Sequence, residues 1–288
     1  MMIQNLKILI TGKGGQLSTA FEERLSRENI GFVALSKAQC DISNLDALKD
    51  AVSSFRPDVI INCAAYNLVD KAEVEKEMAF RVNAIGPKNL SILSNEYSCK
   101  FVHYSTDYVF DGTKETGLYT ESDTPSPLSE YGMSKLVGEK NAFDNHDDVI
   151  VFRLSWVFGK GVQNFIYKLL QWEKANEYLR VACDEFSVPT HTDVVVDVTL
   201  RGIQEDLKGL YHLTGGGFCS RYEWARLIFS TLGIKKHLHP VHMSSFNLPA
   251  RRPRFSAMGN SLIAKTLCVN IPEWTESVRD VLSRYYFS

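Results

Sequence analysis

Short apolar runs and helical-period segments alternate through the first half of the chain. Residues 6–10, 31–35, 58–65, 101–105 and 149–154 are nearly continuous apolar stretches of strand length. The third is apolar on both faces, which predicts a central parallel strand covered on both sides. Between the runs the period changes. Leu17, Phe21 and Leu25 recur at helical spacing, residues 45–55 are amphipathic, and helical patterns cover 72–83 and 87–97. A further helix is expected at Tyr131, after a loop rich in proline and acidic residues over 111–130. Such alternation, with no fixed-period repeat, predicts an α/β fold with a Rossmann-like, doubly wound parallel sheet.

The second half is less regular. Residues 164–174, 194–204, 221–232 and 278–285 predict helices, and 179–183 and 210–213 predict strands. Pro240, Pro249, Pro253 and Pro272 mark an intervening region expected to form loops lining a substrate site. The expected organisation is a dinucleotide-binding domain over 1–154, with segments near 179–213 returning to it. A smaller α/β domain over 155–288 is expected to bind mainly substrate.

Composition narrows the class without changing the fold. A chain of 288 residues with 44% apolar and 23% charged residues suits an ordinary globular protein. The net charge of -2 carries no electrostatic footprint for nucleic acid or an anionic membrane. The basic cluster Arg251-Arg252-Pro253-Arg254 is too short to alter that. The six cysteines are scattered, with no CxxC and no histidine at metal-ligand spacing, so no metal is predicted and the thiols are expected to be reduced. Residues 1–6 have no apolar region of signal-peptide length, and no run reaches the roughly 18 apolar residues a membrane span needs. A cytoplasmic protein is expected.

Candidate chemistry begins at the first strand's exit. Thr11-Gly12-Lys13-Gly14-Gly15-Gln16-Leu17-Ser18 joins a strand to a helix, as a dinucleotide-binding turn does. The spacing Gly12-x-x-Gly15-x-x-Ser18 puts serine where a third glycine can stand; serine is still small enough for close helix–strand packing. A carboxylate at the end of the second strand would favour NAD, but Ser36 and Lys37 occupy that place. A lysine there suits a 2′-phosphate; its bland reading is a solvated surface charge. Asp41 either contacts the adenine end or opens a capped turn. Tyr131 and Lys135, four residues apart, share a helical face. A tyrosine beside an ammonium is a candidate proton donor, because the cation stabilises the phenolate left behind. Thr106, at the fourth strand's carboxyl end, can hydrogen-bond the same substrate oxygen. With a nicotinamide, ketone reduction is chemically coherent.

Gly12-x-x-Gly15, Tyr131-x-x-x-Lys135 and Thr106 together resemble the extended short-chain dehydrogenase/reductases. Within these, several stretches resemble the dTDP-4-dehydrorhamnose reductase family. They are Gly14-Gly15-Gln16-Leu17, the 62–73 run ending Val69-Asp70-Lys71-Ala72-Glu73, residues 105–112, residues 131–140 and Ser155-Trp156-Val157. Later come Asp184-Glu185-Phe186, Pro189-Thr190, Gly209-Leu210-Tyr211-His212 and Ala250-Arg251-Arg252-Pro253. The resemblance covers nearly the whole chain, and 105–112 is its most specific block.

That resemblance implies reduction of the 4-keto group of a dTDP-linked 6-deoxyhexose with NADPH or NADH, on a triad of Thr106, Tyr131 and Lys135. It implies cofactor contacts at Gly15, Gln16, Leu17, Asp41, Ile42, Ala65, Tyr66, Asn67 and Tyr104. Sugar contacts are implied at Thr106, Asp107 and Trp156, although Trp156 can equally be core. Arg252 has a fork suited to a substrate phosphate, against the reading of a surface charge. The chain departs from the family's pattern at Ser18, where glycine is usual, and at Asn67, where threonine is common. The expected partner is a nucleotide sugar, and a homodimer is compatible with the resemblance. The alternatives are a reductase of another nucleotide-linked 4-keto sugar, a sugar epimerase, or a non-catalytic regulatory subunit like that of methionine adenosyltransferase.

Overall fold

In the first half the strands are β1 (Lys7–Thr11), β2 (Gly31–Leu35), β3 (Val59–Asn62), β4 (Lys100–Thr106) and β5 (Val149–Leu154). Between them lie α1 (Gln16–Arg27), α2 (Leu45–Phe55), α3 (Val69–Ala72), α4 (Lys76–Phe80), α5 (Gly86–Glu96) and α6 (Glu130–Asn145). The second half adds β6 (Val157–Phe158), β7 (Leu179–Ala182), β8 (Phe186–Ser187), β9 (Thr190–His191), β10 (Gly209–His212), β11 (Cys219–Ser220) and β12 (Leu238–Val241). Its helices are α7 (Phe165–Ala175), α8 (Thr192–Gln204), α9 (Arg221–Leu232), α10 (Ser261–Leu267) and α11 (Trp274–Tyr285). This computed structural model describes residues 3–286. Met1, Met2, Phe287 and Ser288 lie outside the described residues, and with them part of the 1–6 stretch read for a leader.

The main sheet has six strands in the order β10-β5-β4-β3-β1-β2, every pair parallel. β3, β4 and β5 are buried at every residue, as strands covered by helices on both faces must be. On one face α1, α8 and α10 contribute Phe21, Leu25, Val195, Ile203, Ile263 and Leu267 to a core with Ile8, Ile10 and Val102. On the other, Leu48, Val52, Leu90, Leu93 and Ala142 from α2, α5 and α6 pack on Leu9, Ile60, Phe101 and Val151. A third core gathers Trp224, Ile228, Phe229, Val278 and Leu282 from α9 and α11 with Leu179 and Val181 of β7. The chain leaves β1 for β2 on one side and returns to β3 on the other. Ligands in open α/β sheets bind at the carboxyl edge beside such a reversal.

Two stretches differ from the sequence expectation. The patterns over 72–83 and 87–97 form neither two simple helices nor one. After α3 and α4 the backbone passes through a π-helical turn, Arg81–Ile85, directly into α5. The proline-marked region after α9, expected to be loop, contains β12 and α10. β12 includes Pro240 and pairs with β7 alone, an edge position where a missing N–H is tolerated. The run expected as a strand to 65 stops at Asn62, and Cys63-Ala64-Ala65 instead turn across the sheet edge. Among the described residues no helix is long and apolar enough to cross a membrane.

Candidate active site

The turn after β1 is shaped by two glycines with left-handed backbones, Gly12 at φ +78° and Gly14 at φ +88°. A Cβ on Gly12 would lie 2.6 Å from the Ala64 nitrogen, so the turn packs directly on the exit of β3. Gly15 caps α1 without a side-chain hydrogen bond, and the helix's first turn carries no acidic residue. Its leading N–H groups are therefore oriented for an anion. Ser18 is fully buried and donates to Glu22 Oε1 at 2.9 Å, so it serves as the small residue of the helix–strand seam.

Gly15, Gln16, Leu17, Ala65, Asn67, Tyr104, Thr106, Asp107, Tyr131, Lys135 and Trp156 line one cleft of about 310 Å³ at this sheet edge. Gly12, Lys37, Asp41, Ile42, Tyr66 and Arg252 stand off its wall. Gly12 lies behind the wall as the turn itself. Lys37 is exposed beyond β2. Burial pushes the Asp41 carboxyl up, but hydrogen bonds from Ser43 and the charges of Arg81 and Lys37 outweigh it and leave it below its ordinary range. Ile42 is core, packed so closely that a Cβ on Gly86 would meet it at 2.4 Å. Tyr66 is held by its backbone: its N–H donates to Asn83 Oδ1 at 2.8 Å, and its carbonyl accepts from Asn83 Nδ2 at 3.1 Å.

Asn83 belongs to the π turn and also donates to Ser134 Oγ on α6 at 3.0 Å. One buried amide thus ties the 65–67 loop to the helix of Tyr131 and Lys135. Sequence reading missed it, because a single asparagine in a helical pattern carries no signal. The close approach is made by Gly138, where a Cβ would lie 2.1 Å from the Asn83 carbonyl oxygen.

Lys135 is buried and donates from Nζ to the Tyr104 carbonyl. Burial brings its ammonium down to about 8, against the opposing effect of Glu139. Tyr131 is pushed up to about 12, first by burial and then by the Asp107 charge, with a hydrogen bond from Thr106 opposing. The Lys135 ammonium is turned to the Tyr104 carbonyl and desolvation dominates the phenol, so the tyrosine is protonated at neutral pH.

Thr106 ends β4 and caps the short turn that follows, accepting from the Tyr108 N–H at 3.2 Å. Its hydroxyl donates to Asp107 Oδ1 at 3.2 Å. The other oxygen of Asp107 accepts from Ser187 Oγ at 2.8 Å and Ser256 Oγ at 2.5 Å. Burial raises this carboxyl to about 6 despite those bonds. Asp107, expected as a sugar contact, is thus turned inward and ties the end of β4 to β8 and to the segment around 256.

A second cavity of about 520 Å³ meets the cleft at Trp156, Val157 and Gln163. Its wall combines aromatic rings (Trp156, Phe165, Trp172, Trp224) with cations (Lys168, Arg180, Arg221, Arg252). Trp156 is neither plain core nor surface. Its φ is +40°, uncommon for a bulky residue. Its ring stacks on Trp224 at 5.7 Å, and the Arg221 guanidinium lies 3.6 Å from its centroid on α9's first turn. Arg252 is no free surface charge: it forks onto Asp70 at 3.0 and 2.7 Å. Those bonds hold the Asp70 carboxyl below its ordinary range against some burial. Among the described residues no group of three or more His, Cys, Asp or Glu side chains is arranged to hold a metal ion.

A parallel sheet of this order, a glycine turn after β1 and a Tyr-x-x-x-Lys helix at the sheet edge define a reductase of the short-chain dehydrogenase type, NAD(P)-dependent. The model of the RmlD substrate binding domain matches residues 6–287. The chain belongs to the dTDP-4-dehydrorhamnose reductase (RmlD) family. It is 35% identical to the dTDP-4-dehydrorhamnose reductase of Salmonella typhimurium over 98% of each chain. It is also 31% identical to the spore coat polysaccharide biosynthesis protein SpsK of Bacillus subtilis over 96% of each. The crystal structure of the Bacillus anthracis dTDP-4-dehydrorhamnose reductase in complex with NADP has 33% identity and a TM-score of 0.93, covering 97% of this chain and 99% of that one.

Proposed function

We propose that this protein reduces the 4-keto group of dTDP-4-dehydro-L-rhamnose to give dTDP-L-rhamnose, using NADPH or NADH in the cytoplasm. The observation that carries this reading is the adjacency of two cavities. A cleft with a glycine turn, Thr106, Tyr131 and Lys135 shares Trp156, Val157 and Gln163 with a neighbouring space walled by aromatic rings and cations. The open helix end at Gly15 fits a pyrophosphate, with Gln16, Leu17, Ala65 and Asn67 around it and Lys37 available to a 2′-phosphate. Asp41, Ile42 and Tyr66 shape the loops that frame the cofactor. When bound, the nicotinamide supplies the hydride. Thr106 and Tyr131 hydrogen-bond the ketone oxygen, and Tyr131 passes its phenolic proton to it. Lys135 stabilises the phenolate that remains. Aromatic rings suit a stacked base and sugar, and Arg252 and Arg221 suit a diphosphate.

Residues 1–154, with α8 and β10 returning, are assigned as the dinucleotide-binding domain, and the remainder of 155–288 mainly as the substrate domain. α8 packs on α1, and β10 extends the main sheet beside β5.

The test is a coupled assay with the 4-keto sugar generated in place, following NADPH and NADH oxidation and identifying the sugar product. Oxidation with dTDP-L-rhamnose formed supports the proposal. A product of the other C4 configuration makes the chain a reductase of a neighbouring 4-keto sugar, an outcome the SpsK likeness makes worth resolving. Cofactor binding without reduction, together with a stable hetero-complex, would indicate a regulatory subunit instead.

A further inference from the structure

Beneath Lys135, one helical turn further along α6, a charged cluster is sealed inside the protein. Glu139 is 4% exposed and Arg153, on β5, is 3% exposed. Arg153 donates from Nε to Glu139 Oε1 at 2.9 Å and from a terminal nitrogen to Oε2 at 2.8 Å. The Ser105 hydroxyl, on β4, also donates to Oε1. Both carboxylate oxygens are thus engaged, and the side chain has no freedom to turn away. Lys135 and Glu139, four residues apart, stand on the same face of α6.

Glu139 is paired with one buried cation, Arg153, and stands one turn along α6 from a second, Lys135, whose Nζ donates to the Tyr104 carbonyl. Two cations cannot share a dry interior cheaply without an anion between them. The other groups facing Lys135 do not supply one. From β4 come the Tyr104 carbonyl and His103, whose imidazole is held neutral by burial and by Lys135 itself. From its own helix comes Tyr131, which stays protonated at neutral pH. Asp107, beyond Tyr131, acts on that phenol.

We propose that Glu139, held in place by Arg153 and Ser105, is a positioning residue that keeps the Lys135 ammonium charged inside the cleft wall. The inference rests on the reading of Lys135 as the cation serving cofactor and Tyr131. Burial alone would release the lysine's proton close to working pH, and the fixed carboxylate one turn away opposes that release. The ion pair with Arg153 is then more than a fastener between α6 and β5. It fixes the place of an anion one helical turn from the lysine on which it acts.

The direct measurement is the titration of Lys135 in the protein without cofactor, by NMR with isotope-labelled lysine, the resonance assigned by its loss in Lys135→Met. The wild-type midpoint is expected at about 8. Glu139→Gln leaves Arg153 unpaired and can unfold, so Glu139→Gln/Arg153→Gln is also made and compared with Arg153→Gln, a pair that differs only in the carboxylate. In each comparison the midpoint is expected to be lower by about one pH unit or more where Glu139 is missing. The alkaline loss of NADPH affinity should move to lower pH by the same interval, to about tenfold weaker binding near the midpoint of the form that keeps Glu139. Midpoints and NADPH binding that do not differ between the forms with and without Glu139 would overturn the inference and leave Glu139 a mere partner of Arg153. If the wild type binds no NADPH at any pH, the reading of the cleft falls, and the inference with it.

Discussion

Tyr131 meets the cleft with its phenol pushed up to about 12, so its proton is retained at neutral pH, as the proposed donor requires. Tyr131→Phe keeps the ring and its edge contact with Tyr108 but removes that proton. Turnover should fall by about 10²–10⁴, with NADPH binding nearly unchanged, as steady-state kinetics and cofactor fluorescence will show. Asp107 gives a second residue-scale prediction, on stability. Its folded value of about 6 lies above the 3.8 of a free carboxyl, so the folded state holds the proton more tightly. The sign follows: this stabilisation is complete below about pH 3.8 and is lost as pH rises through about 6. Denaturant melts across that window should show Asp107→Asn lacking a pH-dependent difference of about 1–3 kcal/mol. Thr106, Tyr131 and Lys135 could be singled out in the sequence because the roles proposed for them need only residue type, spacing and a strand end. The inward turn of Asp107 was not, because its serine partners lie 80 and 149 residues away.

At the scale of elements, the π turn at Arg81–Ile85 and the glycine face of α6 belong together. The extra residue in the turn directs Asn83 into three hydrogen bonds, two to the Tyr66 backbone and one to Ser134. Asn83→Ala should cost about 2–4 kcal/mol, by the loss of buried partners, and loosen the loop that carries Asn67. Thermal melts with and without NADPH will separate the two effects: a smaller cofactor-induced rise in Tm than wild type marks the loosened loop. Gly138→Ala should destabilise by about 1–3 kcal/mol without removing any hydrogen-bonding side chain, because a Cβ cannot fit 2.1 Å from the Asn83 carbonyl oxygen. An unchanged melt for that variant would contradict the close approach of α6. Strands β1 to β5 were legible because continuous apolar runs bounded by turns have few other uses. The π turn and β12 were not. A π register is selected by what packs against it, and two of the four residues of β12 are exposed, one of them a proline.

Across the whole molecule, Arg252 and Asp70 join α3 to the proline-marked region near the end of the chain, at the wall of the larger of these two cavities. In the proposed complex the arginine serves the diphosphate. Arg252→Ala is then expected to raise KM for the nucleotide sugar about ten- to a hundredfold while kcat changes little, the mark of uniform binding lost. A change in kcat alone would move Arg252 out of the binding role. Alternating apolar runs, the glycine turn and the Tyr-x-x-x-Lys spacing were enough to point to a doubly wound sheet and to a candidate proton donor beside a glycine turn, because each is a local consequence of period and spacing. The tertiary structure alone could decide that Glu139 is buried against Arg153, that the Asp107 carboxylate is tied to two distant serines, that Asn83 clamps the Tyr66 loop to α6 and that Trp156 borders two cavities. Each of these depends on desolvation and on partners far away in sequence, and neither quantity exists until the chain has packed.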